Sequence, residues 1–396
     1  MANPFTPTFG IIPPFMAGRE ALIEELSSAF SNGLGDPNLC TIVSGARGAG
    51  KTALLSFMAS EAESQGWITA RTTAAEGMLE DILDQALVSA RNFLDALDGR
   101  KLSGVSIGQF VSFEWDNEAP RVGNWRTQMN ALLDQLAEQD IGLLITVDEV
   151  KVTVPEMKRL AQVYQHFVTE GRKVALLMAG LPQAVSALFG DDDVSFLRRA
   201  RKHVLGRIPD GEIRDALLLT VNEGGRSISA EALDEAVGVI DGFPYMMQLV
   251  GYRMWAENPR SEQIALADAR HGIELAKREM IEGILEYTYR ELSDGDKRFL
   301  AAMLPDSQVK DIRITLQHCL QVNSIHIPAH GREKQLCVAV QAPPASPGRH
   351  RRIQQRIRAL RHAGVSRLSR AEAERRAGVA KKRSWAEIER SDELAN

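Results

Sequence analysis

Apolar residues recur along this chain with two periods, and the alternation between them predicts the elements. Leu22, Ile23, Leu26 and Phe30 stand at helical spacing and predict a helix over 20–31. The β-branched run Thr41, Ile42 and Val43 predicts a strand, and a helical pattern follows over 53–63. A strand is expected at 67–72, then a helix over 78–97 with Leu79, Ile82, Leu83, Ala86, Leu87 and Phe93 on its apolar face. Val105, Ile107, Val111 and Phe113 fall in an alternating stretch that suits a hairpin or an irregular insertion. Helices are expected over 125–138 and 155–170. The continuous apolar runs at 142–147 and 173–179 suit strands buried on both faces of a parallel sheet. A shorter strand is expected at 203–208, after which the pattern turns wholly helical in four segments, 212–221, 229–240, 244–257 and 264–289. Strands alternating with helices predict an α/β, doubly wound domain over about 15–208, followed by a smaller helical unit.

Composition changes this picture little until the C-terminus. Of 396 residues, 44% are hydrophobic and 25% charged, which is ordinary for a soluble globular protein of two or three domains. No apolar run approaches the ~20 residues of a membrane span, and residues 1–15 have neither a basic nor an apolar signal region. Three cysteines, Cys40, Cys319 and Cys337, lack metal-ligand spacing and fit a reducing, cytoplasmic setting.

The candidate chemistry gathers at two strand ends. The first strand runs into Gly45-Ala46-Arg47-Gly48-Ala49-Gly50-Lys51-Thr52-Ala53, a glycine-rich turn closed by Lys-Thr at the start of a helix. This is the phosphate-binding P-loop pattern in its required strand–loop–helix setting. Glycines let the backbone N–H groups turn toward phosphate oxygens, and the helix adds the positive end of its dipole. Lys51 can reach the β- and γ-phosphates of a nucleotide, and the Thr52 hydroxyl can hold Mg²⁺. The strand at 142–147 ends in Asp148-Glu149. Two adjacent acids at the end of a buried strand need a compensating ion or partner. After a P-loop they read as the second half of the site, the Walker B pattern. Asp148 serves the Mg²⁺ shell and Glu149 acts as the base that orients the attacking water.

Phe15-Met16-Ala17-Gly18-Arg19-Glu20 precedes the first helix by one step and the P-loop by about thirty residues. This spacing resembles the leading motif of AAA+ and related STAND-type ATPases, including the origin-recognition-like and archaeal-type members. The resemblance covers residues 11–304 and implies a sheet in the order 5-1-4-3-2, adenine near Phe15, Gly18 and Arg19, and a helical lid after the sheet. It also implies a polar sensor at the end of the strand at 173–179, where this chain has Ala179-Gly180-Leu181-Pro182, and a lid arginine where it has Gly242-Phe243-Pro244-Tyr245. Both departures are similar to the STAND class, in which the proline, here Pro244, lies near the nucleotide. The basic run containing Arg198, Arg199 and Arg201 offers an arginine finger toward its own or a neighbouring phosphate site, or else a solvated helix face. The expected domains are a P-loop ATPase unit at 1–208, a helical lid at 209–290 and the start of a winged-helix-like unit at 291–307.

From about residue 308 the pattern fails. Residues 309–396 carry 18 Lys and Arg against 8 Asp and Glu, a balance of +10 that leaves −15 on the remainder, and five of the eight histidines lie there. One reading is a basic tail that binds nucleic acid or is disordered. The other is a reading frame that slips near Asp306, so that the recognition helix and wing are lost.

The expected function is that of an ATP-binding, Mg²⁺-dependent ATP hydrolase whose nucleotide state governs assembly or a protein partner. Two alternatives stand beside it: a nucleotide-gated switch of slow turnover, and an initiator-like ATPase that binds DNA through a complete winged helix. A P-loop kinase fits less well, because Asp148-Glu149 suits water activation. Adenine rather than guanine follows from the resemblance, supported by the lack of an N-K-x-D pattern. No membrane partner is expected.

Overall fold

The computed structural model describes residues 2–8, 10–98, 124–294 and 297. Its centre is a five-stranded parallel sheet in the order β2-β3-β4-β1-β5. The strands are β1 (Cys40–Gly45), β2 (Ile68–Thr73), β3 (Leu143–Asp148), β4 (Val174–Gly180) and β5 (Arg201–Leu205). Written from the other edge this is 5-1-4-3-2, the expected order, with β1 held between β4 and β5.

Strand periodicity explains how the sheet is covered on both faces. Along β1, Ile42 enters one apolar cluster and Val43 the other. Along β4, Val174, Leu176 and Met178 face one way and Ala175, Leu177 and Ala179 the other, so all seven residues of the strand are buried. One face is covered by α1 (Glu20–Asn32) and α2 (Lys51–Ser64). The other is covered by α3 (Met78–Asp98), α4 (Trp125–Glu138), α5 (Pro155–Thr169) and α6 (Pro182–Gly190). The large polar-tipped side chains in these layers are satisfied. Trp67 donates to the Phe30 carbonyl at 3.2 Å, and the Tyr164 hydroxyl to the Leu39 carbonyl at 3.0 Å.

A second core lies beyond β5. It is built by α7 (Asp210–Glu223), α8 (Ala230–Ile240), α9 (Pro244–Glu257) and α10 (Leu266–Met280), with a short α11 (Glu286–Glu291) after a π-turn. The sequence pattern predicts only helices here. The structure adds a two-residue parallel pair, β6 (Ser227–Ile228) with β7 (Gln263–Ile264). Pairs this short leave no period to read. β5 is also shifted from its expected span at 203–208 to Arg201–Leu205, and α6 was not expected. The stretch at 105–115, most of 291–307 and the basic tail lie outside the described residues.

Ile145 sits fully buried at the middle of β3. Ile145→Ala is expected to lower stability by about 2–5 kcal/mol, read as a lower urea midpoint. Val88→Ala, at a site 59% exposed, is expected to shift it by less than about 0.5 kcal/mol.

Candidate nucleotide site

The carboxyl ends of β1 and β3 place the two expected halves of the site together. Past Gly45 the chain turns through Gly48 and Gly50, both with positive φ, and enters α2 at Lys51. Ala49 is buried under this turn. The Lys51 ammonium folds back over the loop and donates to the carbonyls of Gly45 at 2.9 Å and Ala46 at 2.8 Å. Burial lowers its pKa, and the nearby carboxylates of Asp148 and Glu149 oppose that shift. The Thr52 hydroxyl donates to Asp148 Oδ2 at 2.5 Å, although β4 separates the strands that carry them. Ala53, next along α2, packs on the apolar cluster beneath.

Asp148 also accepts the backbone N–H of Glu149 at 2.8 Å, through its other oxygen. Glu149 has φ +51°, a left-handed conformation that costs a non-glycine residue of order 1–3 kcal/mol and clusters at functional sites. Its carboxylate is solvent-facing and lies 3.8 Å from the Lys151 ammonium. Thr52 and Asp148 present hard oxygen donors side by side, the donor set that Mg²⁺ prefers. A cleft of about 480 Å³ opens beside them, walled on the far side by Thr72, Gly77, Met78 and Asp81.

The end of β4 is closed over by the turn that follows β3. Val150 is buried and donates its N–H to the Ala179 carbonyl at 2.9 Å. Its Cγ2 would lie only 2.5 Å from a Cβ at Gly180. The space over the end of β4 is filled by an apolar side chain from the turn that follows the neighbouring strand β3.

The second core reaches the P-loop directly. The Tyr245 N–H donates to the Gly48 carbonyl at 3.3 Å. A Cβ on Gly48 would come within 2.6 Å of the Phe243 ring and 3.1 Å of Tyr245 Cβ. Pro244 opens α9 at its first turn, and the contact with the loop is made by its neighbours Phe243 and Tyr245. Sequence reasoning singled out this tetrapeptide through Pro244, and the contacts of Phe243 and Tyr245 with the loop carry no signal in a linear pattern.

The leading motif lies at the junction between the two cores. Phe15 is buried within the helical core and Met16 within the sheet core. Arg19 donates to the carbonyls of Gly206 at 2.7 Å and Gly18 at 3.0 Å, and burial lowers its pKa to about 10. Gly18 sits against Ile208, in the connection from β5 to α7. These residues therefore clamp the connection on which the helical core is hung.

The basic run stands elsewhere. Arg201 opens β5 in register with Thr41, while Leu205 at the other end pairs with Gly45. Four residues of strand, roughly 13 Å at the usual rise, separate Arg201 from the P-loop level. Arg198 donates to Asp192 and to the Phe189 carbonyl, and Arg199, also exposed, precedes the same strand end. A finger from this run toward its own P-loop is not supported by the register. Past the opposite end of β5, Arg207 forms an ion pair with Asp241, beside Gly242 at the foot of α9.

Comparison with solved structures places this arrangement. A Walker-type ATPase of Pyrococcus abyssi superposes with a TM-score of 0.50 at 16% identity, over 78% of this chain and 93% of that one. The chain shares the fold of that ATPase. Cdc6p of Pyrobaculum aerophilum is similar at a TM-score of 0.48 and 16% identity, covering 81% of this chain and 85% of that one. The ORC2 protein of Aeropyrum pernix, solved in ADPNP–ADP complexes, is similar at 0.48 and 15%, covering 78% and 81%. No protein-family model matches the chain, and no curated protein matches its sequence.

The contact between Val150 and Gly180 yields a coupled test. Gly180→Ala is expected to destabilise the protein by about 1–3 kcal/mol through overpacking. Adding Val150→Ala is expected to recover part of that loss, giving a coupling energy of at least about 0.5 kcal/mol in a thermal double-mutant cycle.

Proposed function

We propose that this protein binds ATP and hydrolyses it with Mg²⁺, and that its nucleotide state governs assembly or a protein partner. The observation that carries this reading is the convergence of the Thr52 hydroxyl and the Asp148 carboxylate at 2.5 Å, beside the glycine loop that holds Lys51. The fold shared with a Walker-type ATPase supports it. Residues 1–208 act as the ATPase unit and 209–290 as its lid. Among the described residues no helix is long and apolar enough to cross a membrane, and a cytoplasmic setting belongs to the same proposal.

Each residue has a role that its position allows. Backbone N–H groups from Gly48 to Thr52 bind phosphate oxygens at the N-terminus of α2. Lys51 exchanges its two loop carbonyls for the β- and γ-phosphates and offsets charge that develops in the transition state. Thr52 and Asp148 hold Mg²⁺, which neutralises phosphate charge when bound. Glu149, at the open edge, holds and polarises the attacking water. The cleft beside Thr52 and Asp148 leaves room for that water.

A slow-turnover switch is favoured by two specific features. The sensor position is closed by Val150, so no side chain from β4 reports the γ-phosphate. Glu149 is drawn toward Lys151 at the surface. An initiator-like role in DNA binding would rest on residues past 297, outside the described residues.

Steady-state turnover with Mg²⁺ tests the reading. Lys51→Ala and Glu149→Gln are each expected to lower kcat at least about a hundredfold, as loss of a charge-stabilising group or a general base does. Glu149→Gln should still bind ATP. Binding by the wild type without turnover would establish the switch, and no binding would reject both readings.

A further inference from the structure

The first residues of the chain join the two cores. Phe5 is 2% exposed and sits inside the helical core, its ring in the space over Gly251, where a Cβ would meet it at 2.3 Å. Asn3 donates its side-chain amide to the Tyr252 carbonyl at 3.0 Å. The Thr6 N–H donates to the side-chain oxygen of Gln248, also at 3.0 Å, and Gln248 is itself buried. These contacts span more than 240 positions of sequence and all fall on α9. Further along, Gly10 lies against the Thr52 methyl group, with 3.9 Å from its Cβ position to Thr52 Cγ2. Ile12 then packs on the sheet core and Phe15 on the helical core. The segment is thus anchored in the lid, touches the P-loop helix, and returns to the junction.

We propose that this N-terminal segment is a strap that gates nucleotide exchange. The inference rests on the nucleotide-site reading above. A nucleotide held between the P-loop and α9 leaves when those two surfaces separate. Their direct contact among the described residues includes a 3.3 Å hydrogen bond and the Phe243 and Tyr245 contacts on Gly48. The strap adds a second link whose lid end is a buried aromatic ring. Opening must extract Phe5 from α9 or pull Gly10 away from Thr52. Extraction exposes apolar area and unmakes the Thr6–Gln248 bond, so the strap slows opening. Gating of this kind commonly sets release rates in lidded sites. In the released state the strap frees both the α9 groove over Gly251 and the approach to Thr52, and it couples the two events because only four residues separate Phe5 from Gly10 in the sequence.

Release of a fluorescent ADP analogue tests the strap, measured by stopped-flow chase on the full chain. Phe5→Ala and Gln248→Leu are each expected to raise the release rate at least about fivefold, as removal of a gating contact does. Chymotryptic cleavage after Phe5 provides a second readout that needs no variant. Saturating ADP is expected to slow that cleavage, and Gln248→Leu to speed it. If Phe5→Ala fails to fold by circular dichroism, Gln248→Leu and the cleavage rates decide. Release unchanged in the folded variants, with cleavage indifferent to ADP, would overturn the strap and leave the nucleotide site standing. No binding of the analogue by the wild type would overturn both.

Discussion

Burial of the parallel sheet on both faces is the constraint from which the rest of this structure follows. With helices packed above and below, the polar chemistry of β1 and β3 can emerge only at strand ends. Strands in parallel register bring those ends to one edge. Gly45 and Asp148 therefore leave the sheet on the same side, and Thr52 can reach Asp148 across the end of the intervening β4. β4 tolerates this because its own last residue is glycine, beneath the Val150 side chain.

Left-handed backbone occurs at three non-glycine residues among those described. Asp140 stands before β3, while Glu149 has it where β3 ends and Asp241 where the helical core turns toward the P-loop. The last two are held by their surroundings, Glu149 by the bond from its N–H to Asp148 and Asp241 by the pair with Arg207. Left-handed backbone at a non-glycine residue persists only where neighbouring contacts determine it.

The two cores meet at Gly48 beneath Phe243 and Tyr245, at Arg19 over the carbonyl of Gly206, and through the N-terminal segment on α9. Ile208 and Gly242 add a backbone hydrogen bond of 2.8 Å between the connection and the foot of α9. A few contacts of this size hold a lid in register while leaving it able to move. The buried guanidinium of Arg19 bonds backbone carbonyls, so the junction is fixed by geometry at the connection itself.

Much of this was legible in the linear chain. Apolar runs bounded by glycine announced the strands, helical stripes announced the layers, and Gly45–Thr52 with Asp148 and Glu149 marked the candidate site that the fold brings to one edge. These are local signals, because a strand period, a helix period or a phosphate loop is complete within a dozen residues. The resemblance supplied the strand order, which no local pattern encodes. Tertiary structure alone decided which groups meet across the chain. It set Phe243 and Tyr245 against the P-loop, filled the space over Gly180 with Val150, and carried Arg201 to the far end of the sheet. It also drew Phe5 into the core of α9. Such contacts depend on where distant segments are brought by packing, and close packing accepts only side chains whose shapes fit the space left to them.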